Sequence, residues 1–279
     1  MSVKNFIPTV WAETILRTNK DNLIAKKICN TEYSGKIKNA GDTVKFNGLS
    51  DPTVSPYTGT VNYEDLGDAS VILKIAEQNY FAFKVSDIDE AQSNVDLKNS
   101  QAKRASYQLA KTCDSFILNS NTYNQAAHTV TKTATSANII SALSEMKQKL
   151  EEINIMDKDT FIVIPPWVKQ KLLMAGIKFR INNGINGTGG MSWTDELGYD
   201  VFVTNQIANT GTSSVPVSHI LAGSYSAMIY AEQILETEAV RLLDSFTDAV
   251  RGLHVFGHKV VKPNELVQGV FTYADETEI

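Results

Sequence analysis

The chain has 279 residues, of which 43% are hydrophobic and 20% are charged. This composition is typical of a soluble folded protein and excludes the collagen-like, disordered and membrane-embedded classes. No apolar run approaches the roughly 18 residues of a membrane-spanning helix, and residues 1–8 lack the apolar core of a signal peptide. We therefore expect no membrane partner and a protein that folds in the cytosol where it is made.

The net charge of −5 argues against a general affinity for nucleic acid, but the charge is unevenly distributed. Residues 1–45 carry eight Lys/Arg against four Asp/Glu, whereas residues 232–279 carry four against nine. Opposite signs at the two ends favour head-to-tail attraction between copies, although two solvated faces explain them equally well. Cys29 and Cys113, the only cysteines, predict neither a disulfide scaffold nor a zinc site, and both are expected to be buried, reduced thiols.

Alternating apolar residues predict strands between residues 35 and 86. The expected strands are Thr43–Asn47, Val71–Ile75 and Tyr80–Val85. A turn-rich stretch, Gly48 to Ala69, separates the first two and indicates a long two-stranded ribbon with a tip rich in Pro and Gly. Because a lone hairpin is only marginally stable, the ribbon must lie on its own subunit or on a neighbouring copy.

A single helical pattern follows from Ser86 to Asn119, and no Pro or Gly interrupts it. About 33 residues with a rise of about 1.5 Å each make a rod of about 50 Å. A compact globule of this chain length would also be about 50 Å across, so the helix is expected to span the whole molecule. The average helix has only about 11–12 residues.

The second half of the chain has an α/β pattern that begins after a polar linker at residues 120–135. The expected elements are a helix capped by Ser136, a buried strand Thr160–Ile164, a helix from Pro165 to about Ala175, a flexible loop Gly184–Gly190, and strands at Gly198–Val203, His219–Ala222 and Arg251–Val261.

Each pattern that could indicate catalysis or cofactor binding lacks the residues or the geometry that the motif requires. The glycines of residues 183–190 lack the Lys-Ser/Thr of a phosphate loop, and residues 223–227 miss the Gly-x-Ser-x-Gly nucleophile elbow. His254 and His258 lie in a strand pattern, where their spacing separates them by about 13 Å, too far for a metal pair. We therefore predict no catalytic, cofactor-binding or metal-binding residue, and an enzyme is the less favoured class.

Seven different segments, at both ends and in the middle of the chain, match segments of a known protein family in the same order. They are Phe6–Trp11, Asn39–Val44, Asp51–Val54, Ser86–Val95, Ala231–Ile234, Phe246–Gly257 and Val260–Pro263. Together they resemble the Hong Kong 97-type major capsid protein of tailed bacteriophages. The resemblance implies an α+β fold with an N-arm, an extended β-ribbon loop, a long spine helix, a peripheral domain and an α/β axial domain.

On this sequence the resemblance implies an N-terminal arm at residues 1–35 and an extended loop at 36–86. The peripheral domain would combine residues 87–120 with 232–279, and the axial domain would be 121–231. The implied function is self-assembly into hexamers and pentamers of an icosahedral phage head that encloses double-stranded DNA without sequence-specific binding. The implied location is the virion, after assembly in the host cytoplasm.

The ribbon of each subunit is expected to lie across its neighbour and to cover otherwise exposed strand edges. The residues expected at subunit interfaces are Phe6, Trp11, Asp51, Pro52, Tyr57, Tyr63, Val71, Leu73 and Phe81. The implied partners are a portal protein and, because the arm motif starts at residue 6, a separate scaffolding protein. Residues 46–73 contain no lysine, so we expect no covalent cross-link through the loop.

Two other functions stay open at this stage. A bacterial nanocompartment shell shares the fold but encloses enzymes rather than a genome. The other possibility is an α/β enzyme that dimerises through its ribbon, with a site near Trp167, Arg180 and the loop Gly184–Gly190, although structural roles account for these residues.

Overall fold

The computed structural model describes residues 24–31, 43–49, 56, 68–86, 97–155, 160–176, 179–180, 190–193, 198–241 and 247–275. The α-helices in these ranges are α1 (Ala25–Ile28), α2 (Leu97–Ile117), α3 (Ser120–Tyr123), α4 (Ile139–Glu151) and α5 (Pro166–Met174). The long predicted helix is α2, and residues 87–96 of that prediction lie outside the described residues. None of the described helices combines the length and the apolar character needed to cross a membrane.

The described strands form three sheets. A two-stranded sheet contains β1 (Thr43–Leu49) and β2 (Asp68–Lys74). A three-stranded sheet contains β3 (Glu77–Ser86), β10 (Met228–Arg241) and β11 (Thr247–Val260) in the order β10-β11-β3. A seven-stranded sheet contains β4 (His128–Ala134), β5 (Thr160–Ile164), β6 (Phe179–Arg180), β7 (Gly190–Trp193), β8 (Asp200–Val203), β9 (Val217–Ser224) and β12 (Leu266–Tyr273), in the order β4-β12-β9-β5-β8-β7-β6.

The predicted ribbon is present. Strands β1 and β2 pair in antiparallel fashion, with Thr43 opposite Lys74 at the base. The side chains of Leu73 and Ile75 are fully buried against Val255 and its neighbours in β10, which fixes the base of the ribbon on one face of the three-stranded sheet. Strand β3 follows the ribbon in the chain and pairs with β11, so the ribbon is joined directly to the three-stranded sheet.

Gly257 allows the ribbon base to approach the sheet. A Cβ atom at this position would lie 2.7 Å from the carbonyl oxygen of Lys74 and 3.2 Å from the Cα of Ile75. Because both contacts are with backbone, Gly257→Ala is expected to destabilise the subunit by about 1–3 kcal/mol in urea unfolding. Ala82→Val adds atoms at an exposed position of the same sheet and is expected to change stability by less than about 0.5 kcal/mol. Wild-type stability of Gly257→Ala would contradict this packing.

The prediction of a polar linker at residues 120–135 is wrong. These residues form α3 and β4, and β4 pairs in parallel with β12 at one edge of the seven-stranded sheet. Only Val130 and Ala134 of β4 are buried. The polar residues at the other positions face outward, because an edge strand covered on one face needs apolar side chains on that face alone.

Strand β12 divides the segment that was expected to form part of the peripheral domain. Residues 266–273 pair with β4 and β9 in the seven-stranded sheet, whereas residues 247–260 belong to the three-stranded sheet. The chain crosses between the two sheets at the turn 261–265. Val267 and Phe271 are fully buried against helix α4, so β12 shares the core of the seven-stranded sheet.

The core continues through both faces of the seven-stranded sheet. Strand β5 is buried at every position, as predicted. Phe161 and Val163 point into a cluster shared with α1 and α2, whereas Ile162 and Ile164 point into a second cluster under α4 and α5. Helix α2 therefore packs against both larger sheets and joins them into one framework.

Candidate functional site

Residues 24–31 are anchored where α1, α2 and β10 meet. The Asp114 carboxylate of α2 accepts hydrogen bonds from the backbone N–H of Ala25 at 2.9 Å and of Ile24 at 3.3 Å. Asn30 donates its N–H to a β10 carbonyl at 2.9 Å and accepts a β10 N–H at 3.0 Å. The last part of the expected N-terminal arm is thus attached to its own subunit.

A buried ionic cluster lies beside this anchor and is centred on Glu232, whose side chain is only 4% exposed. The Glu232 carboxylate pairs with the ammonium of Lys26 in α1. It also accepts the Tyr230 hydroxyl at 2.5 Å and lies 3.2 Å from Nε2 of His254. Three partners around one carboxylate satisfy a charge that would otherwise be costly to bury.

Burial controls protonation in this cluster. Desolvation, helped by the positive charge of Lys26, lowers the pKa of His254 to about 4, although Glu232 favours the charged imidazole. Desolvation raises the pKa of the Asp114 carboxyl to about 6, despite its two backbone donors. His254 is therefore neutral in the folded subunit at neutral pH.

Cys113, His254 and Glu232 have the side chains of a nucleophilic relay, since the Cys113 sulfur lies 3.8 Å from Nδ1 of His254. Burial raises the pKa of the Cys113 thiol to about 12, so the reactive thiolate is not populated. Cys113 and His254 are both fully buried, which leaves no surface for a substrate. The array is a structural one, and among the described residues no group of three or more His, Cys, Asp or Glu side chains could hold a metal ion.

The region proposed for an enzyme site has a structural explanation at Trp167. Its indole N–H donates to the hydroxyl of Ser218 at 3.0 Å, and its ring packs edge-on against Tyr273 at 5.6 Å. These contacts attach α5 to β9 and β12. Arg180 lies in β6 without a described side chain, and residues 181–189 lie outside the described residues.

Beyond the ribbon base, one face of the three-stranded sheet is left open by the residues that the structure describes. We call it the outer sheet face and define it by Tyr80, Ala82, Glu238, Arg251 and Leu253, which surround a cavity of about 330 Å³. Tyr80 is 81% exposed, and Arg251 donates to Glu238 at 2.8 Å through Nε. An exposed aromatic residue beside a charged pair is typical of a protein interface.

The ribbon supplies a second surface. Among the described strands, β1 and β2 pair only with each other. The outer edges of both strands therefore present backbone N–H and C=O groups that no described strand pairs with, although the Ile72 carbonyl accepts a hydrogen bond from the Lys259 ammonium at 3.0 Å. Such edges are templates for pairing with another chain.

The residues predicted at interfaces are distributed unevenly over the structure. Phe6, Trp11, Asp51, Pro52, Tyr57 and Tyr63 lie outside the described residues. Val71 lies in β2, and its side chain is not described. Leu73 is fully buried within its own subunit and presents no surface to a neighbour, whereas Phe81 is 9% exposed and packs against α2. Their role as a set stays a prediction, and Tyr80, one position before Phe81, is the residue that faces outward.

Comparisons with known proteins agree with this architecture. The pattern of the family described as phage capsid protein matches residues 71–268. No curated protein matches the chain. A solved structure from Mycobacterium phage Che8 is 24% identical, with a TM-score of 0.65 over 87% of this chain and 89% of that one.

Two further solved structures show the same fold at 14% identity. The capsid of Ralstonia phage GP4 has a TM-score of 0.65 over 90% of this chain and 88% of that one. A virus-like particle from Pyrococcus furiosus has a TM-score of 0.57 over 93% of this chain and 97% of that one. The α+β capsid fold of the Hong Kong 97 type is thereby confirmed. Because the family pattern covers well over half of its residues, the chain belongs to the phage capsid protein family and is a protein of the virion shell.

Proposed function

We propose that this capsid protein assembles into the hexamers and pentamers of an icosahedral phage head that encloses double-stranded DNA. The observation that carries the proposal is the presence on one subunit of two surfaces that the described residues leave open. One is the ribbon with its unpaired edges, and the other is the outer sheet face beside the ribbon base.

The position of the ribbon base explains why a neighbour is needed to cover this face. Leu73 and Ile75 cover Val255 of β11, but two and four residues further along the strand Leu253 is partly exposed and Arg251 is exposed. The described part of the subunit's own ribbon therefore covers only one end of the face. The ribbon of a second copy would bury Tyr80 and the exposed part of Leu253 and so add apolar contact to this face.

The remaining partners are proposed from the family resemblance. A portal protein would occupy one vertex, and a separate scaffolding protein would guide assembly in the host cytoplasm before DNA enters. DNA would be held without sequence readout. We also expect no covalent mesh between subunits, so boiling detergent is expected to release single chains.

Substitution of Tyr80 tests the proposal. Tyr80→Asp places a charge in the proposed contact and is expected to reduce the yield of closed shells more than about tenfold, since an unpaired buried charge costs several kcal/mol. Stability of the isolated subunit should stay within about 0.5 kcal/mol of wild type, because the residue is exposed. Shells would be counted by electron microscopy.

Leu173→Asp is the matched control, because it places the same charge at another exposed large side chain, which lies on α5, away from the outer sheet face. This variant is expected to form shells. Normal shell formation by Tyr80→Asp would refute the assignment of the outer sheet face as a subunit contact.

A shell that encloses protein cargo is the second candidate, favoured by the likeness to a virus-like particle. The contents of purified particles separate the two. Genome-length DNA supports the phage head, whereas one co-purified protein species without DNA supports the cargo shell.

A further inference from the structure

Positive charge is concentrated on helix α2, although the chain as a whole carries −5. Residues 97–117 contain four Lys/Arg and one acidic residue, Asp114. Asp114 is buried and caps α1. The solvent side of the helix therefore carries cations without acidic neighbours on the same helix.

The cations form a row along the exposed side. Arg104, Tyr107 and Lys111 follow one another at spacings of three and four residues, and Lys103 lies beside them, so we call these four residues the cationic stripe. All four are exposed. Arg104 and Lys111 are separated by about 10 Å along the axis. Within the described part of the chain, neither Lys103, Arg104 nor Lys111 forms an ion pair with an acidic side chain.

Hydrogen-bonding groups border the stripe. Between α2 and β3 lies a groove of about 690 Å³, and Arg104 lines it together with Asn79, Gln101 and Gln108. Their amides can donate hydrogen bonds to anionic oxygens next to the guanidinium. Arg104 is thus placed to bind an oxyanion with more than charge alone.

We propose that the cationic stripe faces the packaged duplex and contacts its phosphate backbone. This inference rests on the proposed function, because it requires that the shell encloses DNA. Lys, Arg and Tyr side chains on a convex helix face suit phosphates, which any DNA sequence presents. Three cations per subunit bind weakly, so DNA remains releasable, while many copies together act on one continuous polyanion.

Duplex binding by the full-length unassembled subunit tests the inference. The variant is Arg104→Gln with Lys111→Gln, and the control is Lys132→Gln with Lys149→Gln, which removes the same charge at exposed ion-paired positions. Binding of a labelled duplex of arbitrary sequence would be followed from about 20 to 200 mM NaCl. The variant is expected to reduce the slope of log K against log salt by about 1–2, whereas the control keeps it within about 0.5 of wild type.

Two results would overturn the inference. One is an equal slope for variant and control. The other is loss of binding to polyglutamate with duplex binding unchanged, which would assign the stripe to an acidic protein partner. Particles of the wild type that lack DNA would count against the proposed function itself, whereas DNA-filled particles with unaltered duplex binding by the variant would reject only the stripe.

Discussion

Replacing Glu232 by alanine is expected to destabilise the isolated subunit by about 3–5 kcal/mol. The substitution removes the carboxylate that pairs with Lys26 and that accepts the buried Tyr230 hydroxyl. A buried hydroxyl without its acceptor carries a desolvation penalty, and loss of the ion pair weakens the packing of α1 on β10. Urea unfolding followed by circular dichroism would measure the loss. Limited proteolysis is expected to cut near residues 24–31 first.

Glu238→Ala provides the matched control on the same strand. Glu238 also pairs with a cation, but its side chain is 45% exposed and that of Arg251 is 68% exposed. Surface pairs of this kind contribute about 0–1 kcal/mol. Equal effects of the two substitutions would contradict the view that the buried cluster attaches the arm to the subunit.

Acid is expected to destabilise the subunit between pH 6.5 and 4. Burial lowers the pKa of both His254 and His258 from 6.5 to about 4, so the unfolded chain binds more protons than the folded chain in this window. Each histidine withdraws about 3 kcal/mol by pH 4. Asp114 acts with the opposite sign, because its raised pKa lets the folded chain take up a proton below about pH 6. The net loss from pH 7 to pH 4 is about 3 kcal/mol.

His258→Leu tests this pH dependence. Nε2 of His258 is buried and has no hydrogen-bond partner in the structure, so leucine removes a titrating group without leaving a donor unpaired. The variant is expected to lose almost no stability between pH 7 and pH 4, since the one remaining histidine is offset by Asp114. A wild-type stability that stays flat over this range would contradict the account.

The elements that could be predicted from the sequence are those whose local residue pattern agrees with their burial in the folded subunit. β5 is buried on both faces and therefore contains no polar break, and α5 begins at Pro166, where proline suits a first turn. The ribbon β1–β2 was readable because its strands alternate on either side of a turn-rich tip. The presence of α2 at residues 97–117 followed from an uninterrupted helical pattern.

Elements whose character depends on tertiary contacts could not be read from local pattern. β4 is polar on its exposed side and matches a linker until β12 pairs with it. The Glu232 cluster joins residues far apart in the chain, such as Cys113 and His254, which lie 141 positions apart. Alternation along β3 identifies two faces, but only the packing of α2 decides that Phe81 points inward and Tyr80 outward.

The measurement that tests the central claim most directly is electron microscopy of the purified protein, combined with sedimentation and limited proteolysis of residues 48–70. The account predicts closed shells of uniform diameter in which that segment resists the protease, because each ribbon lies on a neighbour. A small oligomer of fixed size at every concentration, with residues 48–70 equally resistant, would contradict it.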